Sequence, residues 1–256
     1  MKLNRRISGR IERPADKRQY VRRLFAGVAE RYDLTNDVMS LGLHRRWKRR
    51  LLELADLRPG HRVLDLAAGT GDLAYGALDL ADRKGVDIRV FAADLAPEMM
   101  RVGLARGDAG RGTAARAATP VSGWVGADAL RLPFPDGVFD RVLIGYGLRN
   151  FADLDAGLAE CFRCLRGGGR LVSLDFGHPR SAALRGAYFV YLNASTRIIG
   201  WAIHRDPESY VYIPESLRRF PGPREMAGRM EAAGFEGCGC DELMGGMMAI
   251  NYGDRR

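Results

Sequence analysis

The sequence predicts an α/β protein in which helices cover both faces of a mostly parallel sheet. From about residue 60 onward, short apolar runs alternate with amphipathic helical segments, which is the pattern of repeated βαβ units. A length of 256 residues suits one large domain better than two independently packed ones. Strands are predicted at residues 63–66, 88–93, 124–127, 139–144 and 170–176, and strand-like segments at 235–241 and 247–252.

Two helices are predicted before the first strand, and together they form a helical N-terminal preface. They span residues 17–31 and 43–55, and the second carries an apolar stripe among its arginines. The segment 32–37 between them is rich in turn-forming residues, so we expect a loop there. Pro59 and Gly60 end the preface, and the strands begin after them.

The alternation of strands and helices breaks after the fifth predicted strand. Residues 177–220 are rich in aromatic side chains and contain no clear strand, which indicates a lid or substrate-binding insertion. A helix at 223–233 then leads to the last two strand-like segments. The predicted organisation is a basic flexible arm at residues 1–16, followed by one domain at 17–256 that contains the insertion.

The chain is basic, with a formal net charge of +9 that is concentrated in the N-terminal arm and the second predicted helix. Such a patch is either a solvated surface or the contact for an anionic partner, and charge alone does not decide between them. No run approaches the roughly 20 apolar residues that a membrane span needs. The N-terminus lacks the apolar h-region of a secretory signal, so we expect a cytoplasmic location.

Four cysteines occur as two close pairs, Cys161-x-x-Cys164 and Cys238-x-Cys240. If the pairs met in space, they would suit a tetrahedral metal site. Cys161 and Cys164 share a helical stripe with Leu158, however, and small buried residues behave in this way. Packing is therefore the preferred interpretation, and no metal is predicted.

The first predicted strand runs into a turn that contains Gly69, Thr70 and Gly71 and opens a helix. Glycines let the backbone approach a ligand closely near a helix N-terminus, and dinucleotide-binding proteins use the same device. Here Asp65 stands four positions before Gly69, and its carboxylate would repel a pyrophosphate. It suits the amino group and sulfonium of S-adenosylmethionine, and Asp-x-x-x-Gly-x-Gly resembles motif I of methyltransferases.

Acidic residues also follow the next two predicted strands. Asp94 and Leu95 come after the second strand, where open α/β sheets bind ligands, and Asp94 should accept hydrogen bonds from both ribose hydroxyls. Asp128 and Ala129 follow the third strand, where an acceptor beside a free backbone amide suits adenine. Each acid could instead cap a helix. Their recurrence after three successive strands favours the cofactor.

Several further segments extend the pattern beyond these turns. Together with the turns, they resemble the ubiquinone/menaquinone biosynthesis C-methyltransferase family from about Val21 to Tyr252. The chain departs from that family's pattern at Ala68, Gly145 and Asp175. The segments are Phe25-x-x-Val28-Ala29-x-x-Tyr32-Asp33-x-x-Asn36-Asp37, Ser40-x-Gly42-x-His44-Arg45-x-Trp47-Lys48, Leu132-Pro133-Phe134-Pro135-Asp136, Gly147-Leu148-Arg149-Asn150, Ser209-Tyr210-x-Tyr212, Pro214-Glu215-Ser216-Leu217-Arg218 and Gly245-Gly246.

The resemblance implies a class I methyltransferase (Rossmann-like) fold, with a seven-stranded sheet whose final strand is antiparallel. It implies S-adenosylmethionine as cofactor, with contacts at Thr70, Asp94, Asp128 and Ala129. It also implies methylation of a ring carbon of a prenylated quinol, either demethylmenaquinol or a polyprenyl benzoquinol.

Carbon methylation needs an electron-rich ring, so the protein must position and polarise a quinol hydroxyl. Arg149 follows the fourth predicted strand at the ligand edge, and it is the predicted catalytic residue. Its guanidinium could hold a developing phenolate or orient a water that takes the proton. Lesser candidates for proton handling are His44, Tyr146, His178 and Tyr210.

A small-molecule N- or O-methyltransferase is the nearer alternative, and an RNA-binding methyltransferase is the more distant one. The chain has Gly147-Leu148-Arg149-Asn150 where a base-flipping enzyme carries an Asn-Pro-Pro-Tyr type of motif. No nucleic-acid module precedes the glycine turn, so we expect no nucleic-acid partner.

A prenylated quinol lives in the bilayer, so we expect peripheral contact with the inner face of the cell membrane. The basic arm and the aromatic segment 188–201 would provide it. The alternative is that these aromatic residues only pack the insertion onto the domain. A homodimer is left open.

Overall fold

The structure, a computed structural model, describes residues 13–110, 120–204 and 208–256. Residues 1–12, which make up most of the predicted basic arm, lie outside the described part. The first helix begins at Pro14, three positions before the predicted start at residue 17. Pro14 occupies the first helical turn, where its fixed φ and missing N–H cost nothing.

Seven strands form one sheet in the order β3-β2-β1-β4-β5-β7-β6, and this confirms the predicted fold class. Strands β1 to β5 pair in parallel, whereas β7 is antiparallel to both β5 and β6. The strands are β1 (Arg62–Leu66), β2 (Arg89–Asp94), β3 (Gly123–Gly126), β4 (Phe139–Gly145), β5 (Leu165–Phe176), β6 (Glu236–Leu243) and β7 (Met248–Arg255).

Helices cover both faces of this sheet, and side chains alternate between the faces along each strand. Leu143 of β4 points to one apolar core, whereas Val142 and Ile144 point to the other. The helices are α1 (Pro14–Val28), α2 (Tyr32–Ser40), α3 (His44–Leu54), α4 (Asp72–Lys84), α5 (Pro97–Gly110), α6 (Leu154–Cys164), α7 (Ala182–Ile199), α8 (Glu208–Leu217) and α9 (Pro223–Ala232), with 3-10 turns at Ala29–Arg31, Leu148–Asn150 and Met244–Gly246 and a π turn at Gly200–His204.

The core on the first face contains α3 and α4, through residues such as Leu51 and Leu78. The core on the second face contains α6 and α9, through Leu158 and Met226. All four of these side chains are at most 1% exposed. The sheet is therefore a rigid support, and its carboxyl edge is left for the site.

Helix α2 contradicts one prediction, because the segment expected to be a loop is helical. Its turn-forming residues bond to their own helix: Thr35 Oγ1 donates to the Arg31 carbonyl at 2.9 Å, and Ser40 Oγ donates to the Asn36 carbonyl at 2.6 Å. The Tyr32 ring packs edge-on against Phe25 of α1, with centroids 6.0 Å apart. Tertiary contacts thus override the local preference for a turn.

The predicted insertion at 177–220 consists of helices, and it packs against the preface. Val211 and Tyr212 of α8 contact Val21 of α1, and Ile213 contacts Val28. Preface and insertion together cover the carboxyl ends of the strands. Within the described ranges, no helix is long and apolar enough to cross a bilayer.

The cysteines of α6 are buried, as the helical stripe predicts. Cys161 and Cys164 are both 0% exposed and belong to the apolar core on the second face. Burial raises the pKa of both thiols, so they stay protonated. Among the described residues, no group of three or more metal-binding side chains comes together.

Candidate active site

The turn between β1 and α4 needs its glycines for a physical reason. Gly71 has φ +79°, and a Cβ there would lie 2.7 Å from the Trp124 ring. Gly69 has φ +57°, and because it has no side chain, its backbone is exposed to a cavity at the carboxyl ends of the strands. Only glycine adopts such angles without strain and permits this close approach.

Asp65 lies behind this turn rather than beside a ligand, which differs from the expected contact with the cofactor. Its side chain is 1% exposed, and Oδ2 accepts a hydrogen bond from the Ala74 backbone N at 2.9 Å. Burial raises the pKa of Asp65 to about 8. The carboxyl therefore fastens the start of α4 to β1, and it does not line either cavity of the site.

Thr70 likewise belongs to a polar network behind the turn. Its buried hydroxyl donates to Asp33 Oδ1 at 2.7 Å, and Arg106 bridges Asp33 and Asp72. Lys48 donates to Asp72 at 2.7 Å. Burial alone would raise the pKa of Asp72, but Lys48 and Arg106 outweigh it and hold the pKa far below its usual range. The network ties the turn to α2, α3 and α5.

A first cavity, of about 80 Å³, lies at the carboxyl ends of β1, β2 and β4. Asp94 lines it, and its two oxygens accept the backbone N–H groups of Gly69 and Ala96, each at 2.8 Å. The Leu95 backbone N–H also acts on this carboxylate, and because a carboxylate has about four lone-pair sites, acceptor capacity for a ligand remains. Five of the eight predicted cofactor residues line this cavity: Gly69, Asp94, Leu95, Asp128 and Ala129.

Helix α1 covers the Asp128 end of the first cavity. Arg18 Nη1 lies 2.9 Å from Asp128 Oδ2, while Oδ1 accepts from the Leu130 backbone N at 3.0 Å. Asn150 also lines the cavity, and its buried Oδ1 has no hydrogen-bond partner among the described residues. The unpaired Asn150 Oδ1 could accept from the ammonium group of S-adenosylmethionine, and the Asp94 carboxylate could accept from its ribose hydroxyls. The residues of this cavity therefore fit S-adenosylmethionine.

A second cavity, of about 220 Å³, lies between the preface and the insertion. Its walls come from α1, α2, α3, α7 and α8 and from the ends of β4 and β5, and most of the lining is apolar. Phe25, Tyr32 and Tyr146 line both cavities, so they form the boundary between them. A ring in the second cavity would meet a cofactor in the first at this boundary.

Arg149 lines the second cavity and is paired with Asp175 at the end of β5. Arg149 is 6% exposed, and its Nη1 donates to Asp175 Oδ1 and to the Tyr146 carbonyl, each at 2.7 Å. The guanidinium lies 4.8 Å from the Phe176 ring centroid. Burial would lower the pKa of Arg149, but Asp175 raises it above its usual value, so the charge persists. Its Nε has no hydrogen-bond partner within the described structure.

The other candidates for proton handling differ in whether they line the second cavity. Tyr146 and His44 line the second cavity, and His44 Nδ1 lies 2.8 Å from Ser40 Oγ. Burial lowers the pKa of His44, so the neutral ring prevails near neutral pH. His178 lines neither cavity and contacts the Leu217 carbonyl at 3.0 Å. The Tyr210 side chain lies outside the described part of the structure.

Some site residues were not assigned a role from the sequence. Asp175 was named from the sequence only as a departure from the family pattern. Its position at the end of the fifth predicted strand could have indicated a site residue. Phe25 and Tyr32 belong to a segment quoted for the resemblance, but their place between two cavities follows from packing of the preface. Arg18 carries no sequence signal that distinguishes it from the other arginines of α1.

Comparison with solved structures supports the fold. A SAM-dependent methyltransferase from Thermotoga maritima superposes with a TM-score of 0.60 at 18% sequence identity, covering 92% of this chain and 100% of that one. At this level of identity the likeness concerns the fold alone. The seven-stranded sheet with helices on both faces is thus that of class I S-adenosylmethionine-dependent methyltransferases.

Comparison with known protein sequences identifies the family of this chain. A ubiquinone/menaquinone biosynthesis C-methyltransferase, UbiE, from Teredinibacter turnerae is 40% identical over 247 residues, 94% of this chain and 93% of the relative. A demethylmenaquinone methyltransferase from Beutenbergia cavernae is 42% identical over 228 residues, 89% of this chain and 88% of the relative. The ubiE/COQ5 methyltransferase family model matches residues 14–255. The chain therefore belongs to the ubiE/COQ5 methyltransferase family.

Proposed function

We propose that this protein transfers a methyl group from S-adenosylmethionine to a ring carbon of a prenylated quinol. The observation that supports this most directly is the buried Arg149, which is ion-paired with Asp175 and lines an apolar cavity adjoining the first cavity. An apolar cavity suits a ring and the start of a prenyl tail, and a buried cation suits an oxygen that becomes negative. The names of the curated relatives agree with this substrate class.

Gly69, Asp94, Leu95, Asp128 and Ala129 would hold the cofactor at the first cavity. Asp94 would accept from ribose hydroxyls with its remaining lone pairs, and the Asp128–Ala129 turn would receive the adenine. Asp65, Thr70 and Gly71 would act indirectly, because they shape the turn from behind. When bound, S-adenosylmethionine supplies an electrophilic methyl group, which leaves sulfur as the new carbon–carbon bond forms.

Arg149 would hold the quinol oxygen as its hydroxyl proton leaves to water. Its charge is maintained by Asp175, and its Nε–H is available to a ligand because nothing in the described structure accepts from it. A guanidinium keeps its own proton, so it stabilises the phenolate and does not serve as the base. The phenolate makes the ring carbon nucleophilic, and the proton on that carbon leaves to water after methylation. The ring oxygen then takes a proton back from water, so that one proton is released overall.

The mouth of the second cavity would lie against the bilayer. Large apolar side chains are exposed around it, with Leu41 at 85%, Tyr191 at 54% and Met244 at 51%. Trp201 is 69% exposed on the same insertion, whereas Tyr188 is buried at 5%. Exposed apolar residues around an apolar cavity favour an interaction surface, and the substrate class favours lipid as its partner.

The chemical proposal is tested with short-tailed demethylmenaquinol and a short-tailed polyprenyl-type benzoquinol. We expect methyl transfer from S-adenosylmethionine to at least one of them, with mass spectrometry and NMR locating the methyl group on ring carbon. A methyl group on oxygen, or no transfer to either quinol by the folded protein, would contradict the proposal.

The membrane proposal is tested by flotation with anionic phosphatidylglycerol vesicles and neutral phosphatidylcholine vesicles. Replacing Leu41 and Trp201 by serine should reduce binding, because each change removes exposed apolar surface, at the cavity lining for Leu41 and on the insertion for Trp201. Leu104→Ser is the matched control, since Leu104 is 46% exposed on α5, away from the mouth. Equal loss in the control, or no binding by the unmodified protein at low salt, would count against this surface.

A further inference from the structure

Tyr146 occupies an unusual position at the end of β4. Its backbone lies in the left-handed region, with φ +60°, which a bulky side chain rarely adopts. The backbone N donates to the Leu174 carbonyl at 2.7 Å, so the fold holds the residue in this conformation. Such strain is typically retained where a side chain must be aimed at a functional site.

The ring of Tyr146 is held by packing, whereas its hydroxyl makes no hydrogen bond within the described residues. The ring centroid lies 5.8 Å from that of Phe176, and Lys48 Nζ lies 5.7 Å from it. Tyr146 is 8% exposed, yet its hydroxyl has no hydrogen-bond partner in the described ranges. A buried hydroxyl without a partner is costly in the absence of a ligand, which indicates that a ligand provides one.

The hydroxyl remains a hydrogen-bond donor at all physiological pH values. Burial raises the pKa of Tyr146 well above its usual value, and Tyr32 nearby raises it further. Since Tyr146 lines both cavities, its side chain is placed where a ring meets the cofactor. Arg149 Nε is the second buried donor on the same short segment that lacks a partner.

We propose that the Tyr146 hydroxyl donates a hydrogen bond to the quinol oxygen that becomes negative, as a second donor beside Arg149. This assignment rests on the proposed quinol methylation. Two donors directed at a developing phenolate stabilise it more in the transition state than in the neutral quinol. Tyr146 is thereby a specificity-determining residue, because a ring without that oxygen leaves both donors unpaired.

The test replaces Tyr146 by phenylalanine and uses the short-tailed quinol that the unmodified protein methylates. We expect kcat/KM to fall about 10- to 100-fold, the scale of losing one donor to an oxyanion. S-adenosylmethionine affinity should stay within about twofold, because the ring that lines the first cavity is kept. The rate should also recover at higher pH, with the profile displaced upward by about one unit, since the bound quinol ionises less readily.

A melting temperature separates this role from a structural one. Removing a hydroxyl that has no partner should leave Tyr146→Phe at least as stable as the unmodified protein. Tyr252→Phe is the matched control, since Tyr252 is a partly buried tyrosine of β7 that lines neither cavity, and the activity of this variant should change less than about twofold.

Three results would overturn the assignment while leaving the proposed function in place. They are unchanged activity in Tyr146→Phe, an activity loss without displacement of the pH profile, and a lowered melting temperature that shows an internal bond. Failure of the unmodified protein to methylate any quinol would instead overturn the proposed function, and the oxygen assignment with it.

Discussion

Three aspartates at strand ends have different tasks because their surroundings differ. Asp65 is buried against a backbone amide, and burial raises its pKa, so it holds the turn as a largely neutral group. Asp94 lines a cavity and keeps acceptor capacity beyond its bonds to backbone amides. Asp175 is buried but ion-paired, and it keeps Arg149 charged and oriented. Residue type and strand position are shared by all three, and the surroundings of each carboxylate distinguish them: a backbone amide for Asp65, a cavity for Asp94 and a guanidinium for Asp175.

Replacing Asp94 by asparagine should weaken S-adenosylmethionine binding by about 1.5 kcal/mol, roughly tenfold in Kd, because a charged acceptor is lost. Asparagine retains one oxygen, so it can still accept from Gly69 or Ala96 and the fold should persist. Calorimetric titration measures the affinity. Asp87→Asn, an exposed change two residues before the same strand begins, should bind normally. Native affinity in Asp94→Asn as well would make Asp94 a purely structural link.

Replacing Arg149 by lysine should lower the single-turnover rate about 100-fold with little change in cofactor affinity. Lysine keeps the charge but cannot hold Asp175, the Tyr146 carbonyl and a substrate oxygen in one planar fork. Rapid-quench measurement of methyl transfer reports the rate. Arg229→Lys, which alters a surface ion pair on α9, serves as the control. A native rate in Arg149→Lys would assign the phenolate to another group.

At this scale, sequence position predicted which residues reach the carboxyl edge of the sheet, but it did not separate residues that line the first cavity from residues that lie behind the turn. Asp65 and Thr70 are as close to the glycines in sequence as a ligand contact would be. Their side chains nevertheless turn inward, because an amide of α4 and the Asp33 carboxylate of α2 lie behind the turn. Those partners come from packing, which the local pattern does not contain.

At the scale of elements, helix α1 connects the two cavities. Arg18 and Val21 line the first, Leu24 lines the second, and Phe25 lines both. Lys17 donates to the Phe151 carbonyl in the segment after β4, and burial lowers the pKa of Lys17 to about 8. The helix is thus held over the site by polar contacts at its start and apolar contacts along its length.

Cofactor binding should therefore protect α1 from hydrogen exchange. At about 100 times Kd, binding stabilises the closed form by about 2.7 kcal/mol, so exchange through openings that break the site should slow by up to about 100-fold. Deuterium uptake of residues 14–28 with and without S-adenosylmethionine measures this. Helix α9, in the core on the second face, is the internal control. Equal uptake in α1 with and without ligand would show that the helix does not close over the cofactor.

Strands β1, β2 and β4 were predictable because buried parallel strands carry apolar runs with turn signals between them. The edge strand β6 has no buried residue, and its sequence indicated only a strand-like segment. The largest difference is in β5, which begins at Leu165, five positions before the predicted start at residue 170. The earlier start was not predictable because the glycines at 167–169 interrupt the apolar pattern of a strand. Helix α2 was not predicted because its residues favour turns locally. Packing against α1, which the local pattern does not contain, stabilises the helix, and α2 lines the second cavity.

At the scale of the whole molecule, the ends of the strands line much of the first cavity, and the preface with the insertion encloses most of the second cavity. The preface and insertion are far apart in sequence, yet they meet through α1 and α8 and through α2 and α7. The described parts of both present exposed apolar side chains at the mouth, at Leu41 and Tyr191.

The pH dependence of overall stability should reveal the state of Asp65. Its pKa is raised to about 8 in the folded protein, compared with about 3.9 for an unfolded aspartate. Between these values the folded chain holds a proton that the unfolded chain has released, so this group's contribution is present at low pH and is lost as pH rises toward 8. The melting temperature of Asp65→Asn should consequently fall less between pH 5 and pH 8 than that of the unmodified protein.

Other groups do not obscure this comparison. His44 and His61, whose pKa values burial lowers, act in the opposite direction near pH 6, but they are present in both proteins and cancel in the difference. Asp82→Asn, an exposed change on the same helix α4, should keep the unmodified pH dependence. Calorimetry across the range measures all three proteins. If Asp65→Asn falls as steeply as the unmodified protein, Asp65 is ionised in the fold, and a direct role toward the positive end of the cofactor becomes the better interpretation.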